Sequence, residues 1–236
     1  MELKYIQVII LAVVFGLQFL LEHLHPEQKE VNDWKNEQFH IKIGLLNFVL
    51  AALPAAFFVP WMHTIEQWGF GLLNQYHVPA AARLGVSILV LDFWMYAWHR
   101  LNHTVPFLWR FHRFHHRDKK MNSTTALRFH FIELLLSYPG KAIACFVFGI
   151  SYTHLVIYEI FFFIAVVIHH SNISISGRTD AIYRILFASP LLHRIHHSVK
   201  WEETNSNFGA LFSFWDTLFR SRRNKASGPV VFGVEE

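Results

Sequence analysis

Apolar runs close to the length of a bilayer span recur along this chain, and they leave it few folds to choose from. Tyr5 to Leu21 is interrupted only by Gln7 and Gln18, Ile43 to Trp61 carries Pro54 as an expected kink, and Leu84 to Trp98 forms a third run. A fourth block, Phe131 to Ile168, is too long for one span and has its expected turning point at Gly149 to Thr153, with Lys141 as a costly charge inside it. A helix needs about 20 apolar residues to cross hydrocarbon. Lipid offers no partner to a free backbone N–H or C=O, so open strand edges are excluded and helices remain. The sequence therefore predicts an all-α integral membrane protein, with about four transmembrane helices in two hairpins and a cytosolic helical cap.

The positions of the cations orient these spans. Lys29, Lys35 and Lys42 separate the first two runs, seven Lys and Arg lie from Arg100 to Arg128, and eight lie from Arg178 to Lys225. Met62 to Ala82 and the turn at Ser151 to His154 hold none. Positive loops mark the cytosolic side, which puts the N-terminus outside and the C-terminal third in the cytosol. The first run has no A-x-A-like cleavage site after it and reads as a retained anchor. No repeat or linker divides residues 1–236, read as one membrane domain: N-terminal spans over 1–83, a core over 84–220 and a tail over 221–236.

Charged residues are only 16% of the chain, against about 25% in soluble domains. That, with 53% hydrophobic residues, argues against disorder and against a nucleic-acid partner despite the net charge of +4. The lone Cys145 has no disulfide partner within the chain. Histidine is the conspicuous polar residue, with 17 copies. His99 and His103 are spaced i, i+4, while His112, His115, His116 and His193, His196, His197 repeat an H-x-x-H-H pattern. On a helix each set shares one face. Asp92 and Tyr96 continue the stripe of His99, and an intramembrane carboxylate there is a candidate partner for a histidine.

Eight clustered imidazoles exceed the needs of one ion, which takes three or four protein ligands, so two metals fit the count. Imidazole suits Fe, Zn, Cu or Ni, and the lack of thiolates argues against iron–sulfur clusters. No H-E-x-x-H supplies a zinc protease, and Glu-x-x-His pairs of soluble di-iron bundles are almost lacking. His130 and His170 sit at the same expected level, with Glu133 one turn after His130. His169, next to His170, points about 100° away on a helix, so one of that pair at most is expected to be a ligand. His23, His25, His40, His63, His77 and His154 lack such spacing.

In order along the chain, Asp92, Tyr96, His99 and His103, then His112, His115 and His116, then His130 and Glu133, then His170 and Asn172, then His193, His196 and His197 resemble the fatty acid hydroxylase superfamily, which includes sterol desaturases and C4-methylsterol oxidases. The ending, Asn207-Phe208-Gly209 and Trp215-Asp216 through Phe219, is similar to that family's ending. The resemblance covers Asp92 to Phe219. Phe131 departs from it where a Pro is usual, and Arg220 where Gly-Thr usually follows.

The resemblance implies a non-haem di-iron oxygenase that uses O2 on an unactivated C–H bond of a fatty acyl or sterol-type lipid. It further implies that His99, His103, His112, His115, His116, His130, His170, His193, His196 and His197 hold two Fe ions, with the eight residues of the three clusters at the catalytic core. Asp92, Tyr96, Glu133, Asn172, Asn207 and Asp216 would support them. No dinucleotide loop and no room for a flavin or haem domain are visible, so electrons are expected from a separate ferredoxin- or cytochrome b5-like donor. The basic loop from Arg110 to Lys120 offers an acidic donor a docking face, and anionic headgroups are an equal claimant to it. A desaturase or an ether-lipid or sterol oxidase would use the same residues. A histidine-rich metal-handling protein is the reading from another class; it calls for polar residues through the depth of several spans, which this sequence lacks.

Overall fold

The computed structural model describes residues 3–234. The first apolar run is helix α1, Leu3–Leu24, which shows Val8, Val13, Leu17 and Leu20 to its surroundings as a lipid-facing helix does. A short loop with a 3-10 turn at Lys29–Val31 leads to α2, Trp34–Trp68, started by the Asp33 side chain accepting from the Lys35 N–H and stopped by left-handed Gly69. This helix runs unbroken through Pro54 and Pro60. One-turn α3, Leu72–Gln75, precedes α4, Ala80–Thr104, and Val105-Pro106 then turns the chain into the short α5, Pro106–His116.

A loop with a 3-10 turn at Ser123–Leu127 returns to α6, Phe131–Phe148. Gly149, at φ 69°, ends α6, and Ser151 caps α7, Tyr152–His170. The fourth apolar block is thus two helices that turn where the sequence predicts. Five helices are long and apolar enough to cross a membrane, by length and composition. That is one more than the four expected, because the last block itself supplies two. Short helices build the cap: α8, Gly177–Tyr183, α9, Pro190–His196, α10, Trp201–Thr204, and α11, Phe214–Leu218. Among the described residues the only β pairing is three isolated bridges.

Helix α4 is the central post and packs on both α6 and α7, while α1 leans on α7 and α2 on α6. At the α4–α6 seam the Trp94 ring packs against Gly140, where any Cβ would collide with it. The apolar core gathers Met62, Leu91, Cys145, Ile150, Leu155 and Tyr158 toward the end of the bundle where α6 turns into α7. At the opposite end the core is polar. Glu22 of α1 accepts hydrogen bonds from the Ser123 and Asn172 N–H groups and the Ser123 hydroxyl, and Asn122 donates to Glu37 of α2. This buried network ties the two N-terminal helices to the cap, where a carboxylate without partners would be prohibitive.

Candidate metal centre

The polar end holds the histidines. His99 and His103 end α4, His112, His115 and His116 end α5, His170 ends α7, and His193 and His196 lie on α9 with His197 at its C-cap. The turns are cut to suit this convergence. Pro106 and Pro190 each open a helix in its first turn, where the missing N–H costs nothing. The Ser189 side chain accepts from the Leu192 N–H to start α9.

Nine imidazoles form two groups. His99, His103, His112, His116 and His196 make one, and His115, His170, His193 and His197 the other; within each, one ligand atom per residue lies within 4.8 Å of all the rest. The groups adjoin, since the stacked rings of His116 and His197 are 4.3 Å apart between centroids. The structure does not bring His130 to either group. It stands at the start of α6, where its Nδ1 accepts from the Ile132 N–H at 3.2 Å, and its ring packs on Phe111 and Phe114.

Five of the nine are oriented through Nδ1. His99 donates to the Phe208 carbonyl (2.9 Å), His115 to the Arg128 carbonyl (3.3 Å), His170 to the Val166 carbonyl (2.7 Å) and His196 to the Ser206 carbonyl (2.7 Å). His112 donates to the Glu133 carboxylate at 2.8 Å, and Asn102 also donates to it. Such bonds fix the tautomer and leave the Nε2 lone pair free.

That lone pair tests whether a metal fits. Nε2 of His170 lies 3.0 Å from Nε2 of His115 and 3.0 Å from Nε2 of His193. With Nδ1 of His115 and His170 already donating, two Nε2 lone pairs face each other, an arrangement that a cation between them would satisfy. A proton is a poor choice, because burial first, and then the neighbouring imidazoles, hold His115, His116, His193, His196 and His197 well below the usual histidine range. Nitrogens of His103, His112, His116, His193, His196 and His197 are also buried without a hydrogen-bond partner. Each such orphan costs about 1–3 kcal/mol unless something binds it. Buried imidazoles in two sets of five and four, five of them held through Nδ1, are what two divalent ions of the Fe, Zn, Cu or Ni type would need.

The other expected residues act at one remove. The sequence reading sets Asp92 beside a histidine; its carboxylate instead accepts from the Leu211 and Phe212 N–H groups, the Trp215 indole and the Tyr158 hydroxyl. Asp216 accepts from the Phe208 and Gly209 N–H groups and from Ser221. Between them the two aspartates pin the segment whose Phe208 carbonyl orients His99. Burial raises the Asp216 carboxyl, against the pull of those bonds. Asn207 adopts a left-handed φ of 55° and bonds the Leu192 and Arg223 carbonyls, joining α9 to the tail. Tyr96 bonds Ser221. Asn172 bonds Gln28 and Asn32, in the loop between α1 and α2, so it braces the cap from below.

A cavity of about 930 Å³ leads away from the histidines, between α1, α2, α6 and α7. His99, His112, His115, His170 and His193 line its inner end, with Phe48, Ala55, Phe162 and Val166 along its walls. Two features of it escaped the sequence reading. His169 lines it, its ring tilted against that of His193 with centroids 3.9 Å apart, although the sequence reading allowed a ligand from only one of His169 and His170. Lys141 is not an isolated cost: it pairs with Glu159 at 2.6 Å. Their symmetric placement about the turn, eight residues before Gly149 and eight after Ser151, was the available signal.

Long apolar helices, a cavity between them and two clusters of imidazoles at one end that could hold metal are the features of an integral membrane oxidoreductase with histidine boxes. The chain belongs to the fatty acid hydroxylase family, whose profile matches residues 84–221. It is 28% identical to ornithine lipid hydroxylase of Rhizobium tropici over 95% of its own length and 69% of that protein's. It is 30% identical to alkylglycerol monooxygenase of Caenorhabditis elegans over 61% of this chain and 28% of that one. A cholesterol 25-hydroxylase-like protein of Danio rerio is 27% identical over 58% of this chain and 53% of that one. No solved structure matches.

Proposed function

We propose that this chain is an O2-dependent lipid hydroxylase that holds two irons in its two histidine groups and acts on a fatty acyl or sterol-type lipid. The observation that carries this is the continuity of an apolar cavity with the buried nitrogens. The relatives, named as a hydroxylase and monooxygenases of lipids, support the same chemistry. When bound, the irons would supply the O2 activation that an alkyl C–H bond demands. One oxygen atom enters the C–H bond and the other leaves as water, with two electrons and two protons from outside.

The protein's own contribution is binding, orientation and exclusion of water. The cavity walls would take the alkyl body, and the carbonyl-anchored imidazoles keep their donor atoms fixed. His112, held by Glu133, would keep its Nδ1 proton directed away from the reacting side. The basic segment from Arg110 to Lys120 supports a cytosolic site and an acidic ferredoxin- or cytochrome b5-like donor.

Lipid mass spectrometry on cells making the intact protein or His196→Ala at matched expression tests the reading. Lipids heavier by one oxygen only with the intact protein are the expected outcome. Loss of two hydrogens instead would reassign the chain as a desaturase. Unchanged lipids with altered metal accumulation would favour a metal-handling protein.

A further inference from the structure

Lys141 and Glu159 lie within spans, where an ionisable side chain costs several kcal/mol unless it is put to use. Both line the cavity, and their side chains keep 13% and 29% exposure, the larger value on the carboxylate. Among the described residues, the 2.6 Å bond between them is the one hydrogen bond each side chain makes. Lys141, whose ammonium also sits over the Tyr138 ring at 5.8 Å, therefore keeps two protons free, and Glu159 keeps one oxygen free. Glu159 precedes His170 by eleven residues on α7, about 16 Å at the helical rise. A pair that served only to join two helices would be replaceable by apolar side chains, often with a gain in stability.

Electrostatics selects the guest. A carboxylate entering here would face Glu159, and an ammonium would face Lys141, in a medium that screens poorly. A neutral group that both accepts and donates satisfies both at once: a hydroxyl oxygen takes a proton from Lys141 while its own O–H points at Glu159. We propose that Lys141 and Glu159 form a binding site for the hydroxyl group of a lipid alcohol, whose apolar body runs down the cavity toward the histidines. This deepens the lipid-oxidation reading, on which the direction of the body rests, and it places the oxidised carbon about 16 Å from the recognised hydroxyl.

The test is equilibrium binding of radiolabelled 1-octadecanol, octadecanoic acid and octadecylamine to the purified full chain in phosphatidylcholine nanodiscs. The intact protein should bind the alcohol at least ten-fold more tightly than the acid or the amine. K141M/E159L should lose that preference, E159Q should move it toward the acid, and the reversed pair K141E/E159K should keep it, since a hydroxyl suits either orientation. Should K141M/E159L fail to fold, the reversed pair decides alone: preference retained supports the site, and a folded reversed pair without it overturns the site. Equal binding of alcohol and acid by the intact protein, or an undiminished preference in folded K141M/E159L, also overturns it. Binding needs no turnover, so an alcohol that binds with this preference yet is never oxidised sinks the oxidation reading and leaves the site standing.

Discussion

Five of the clustered histidines are buried among other imidazoles, and this has a thermodynamic consequence. Burial holds His115, His116, His193, His196 and His197 below their ordinary pKa, which is about 6.5 in an unfolded chain. Below that pH the unfolded chain takes up protons that the folded metal-free chain refuses, so acid drives unfolding. Metal-free protein, prepared with a chelator, should lose thermal stability steadily from pH 7 to 5.5, whereas metal-loaded protein should hold it until the ion is released. Equal pH profiles with and without chelator would show that the imidazoles are not the metal's ligands. At this scale the clustering of nine histidines was largely legible in the sequence, because i, i+3 and i+4 spacing puts donors on one face wherever the helix goes. It misjudged His130, since a histidine just before a helix can serve as its cap, and no local pattern distinguishes a cap from a ligand. The Nδ1 carbonyl partners were invisible for the opposite reason: they are backbone atoms, and Phe208 and Ser206 bear no mark of the role.

Between elements, Asp92 is the joint. One carboxylate of α4 receives two backbone N–H groups, an indole and a phenol, and so fixes the Leu211–Trp215 stretch against the helix bundle. Asn at this position presents one oxygen where two were used and turns an amide donor toward other donors. Asp92→Asn is expected to cost about 1–3 kcal/mol for the buried groups left unpaired. Because that stretch continues directly from Phe208, whose carbonyl orients His99, the variant should also bind metal less well although Asp92 contacts no histidine. Denaturant unfolding and metal content of the purified variant measure both, and full stability with full metal content would refute the joint. The sequence reading marks Asp92 as too expensive to be idle and offers it a histidine as partner, which the structure does not show. The actual partners lie 66 to 123 residues away, out of reach of any local pattern. The seam of α4 and α6 was likewise hidden, since the meeting of Trp94 and Gly140 is written in neither helix alone.

For the whole molecule, the number of spans and the positions of the charges have to agree. Four crossings would return the C-terminus to the side of the N-terminus, yet the loops rich in Lys and Arg require the first run to start outside and the last third to lie inside. Five helices satisfy that parity. The helix ends agree as well: α4 and α7 finish, and α6 begins, at the histidine level, while the loops from Gly69 to Pro79 and from Gly149 to Ser151 meet at the other end, where Gly71 touches the Gly149 backbone. Five crossings would put His77 and Lys225, both exposed, on opposite faces of the membrane. With Cys145 buried, cysteines introduced singly as His77→Cys and Lys225→Cys report those faces. In intact cells a membrane-impermeant maleimide should label the first and spare the second, and permeabilisation should expose the second. Labelling of Lys225→Cys without permeabilisation would invert the bundle, put the histidine groups on the outer face and leave a cytosolic electron donor no route to them.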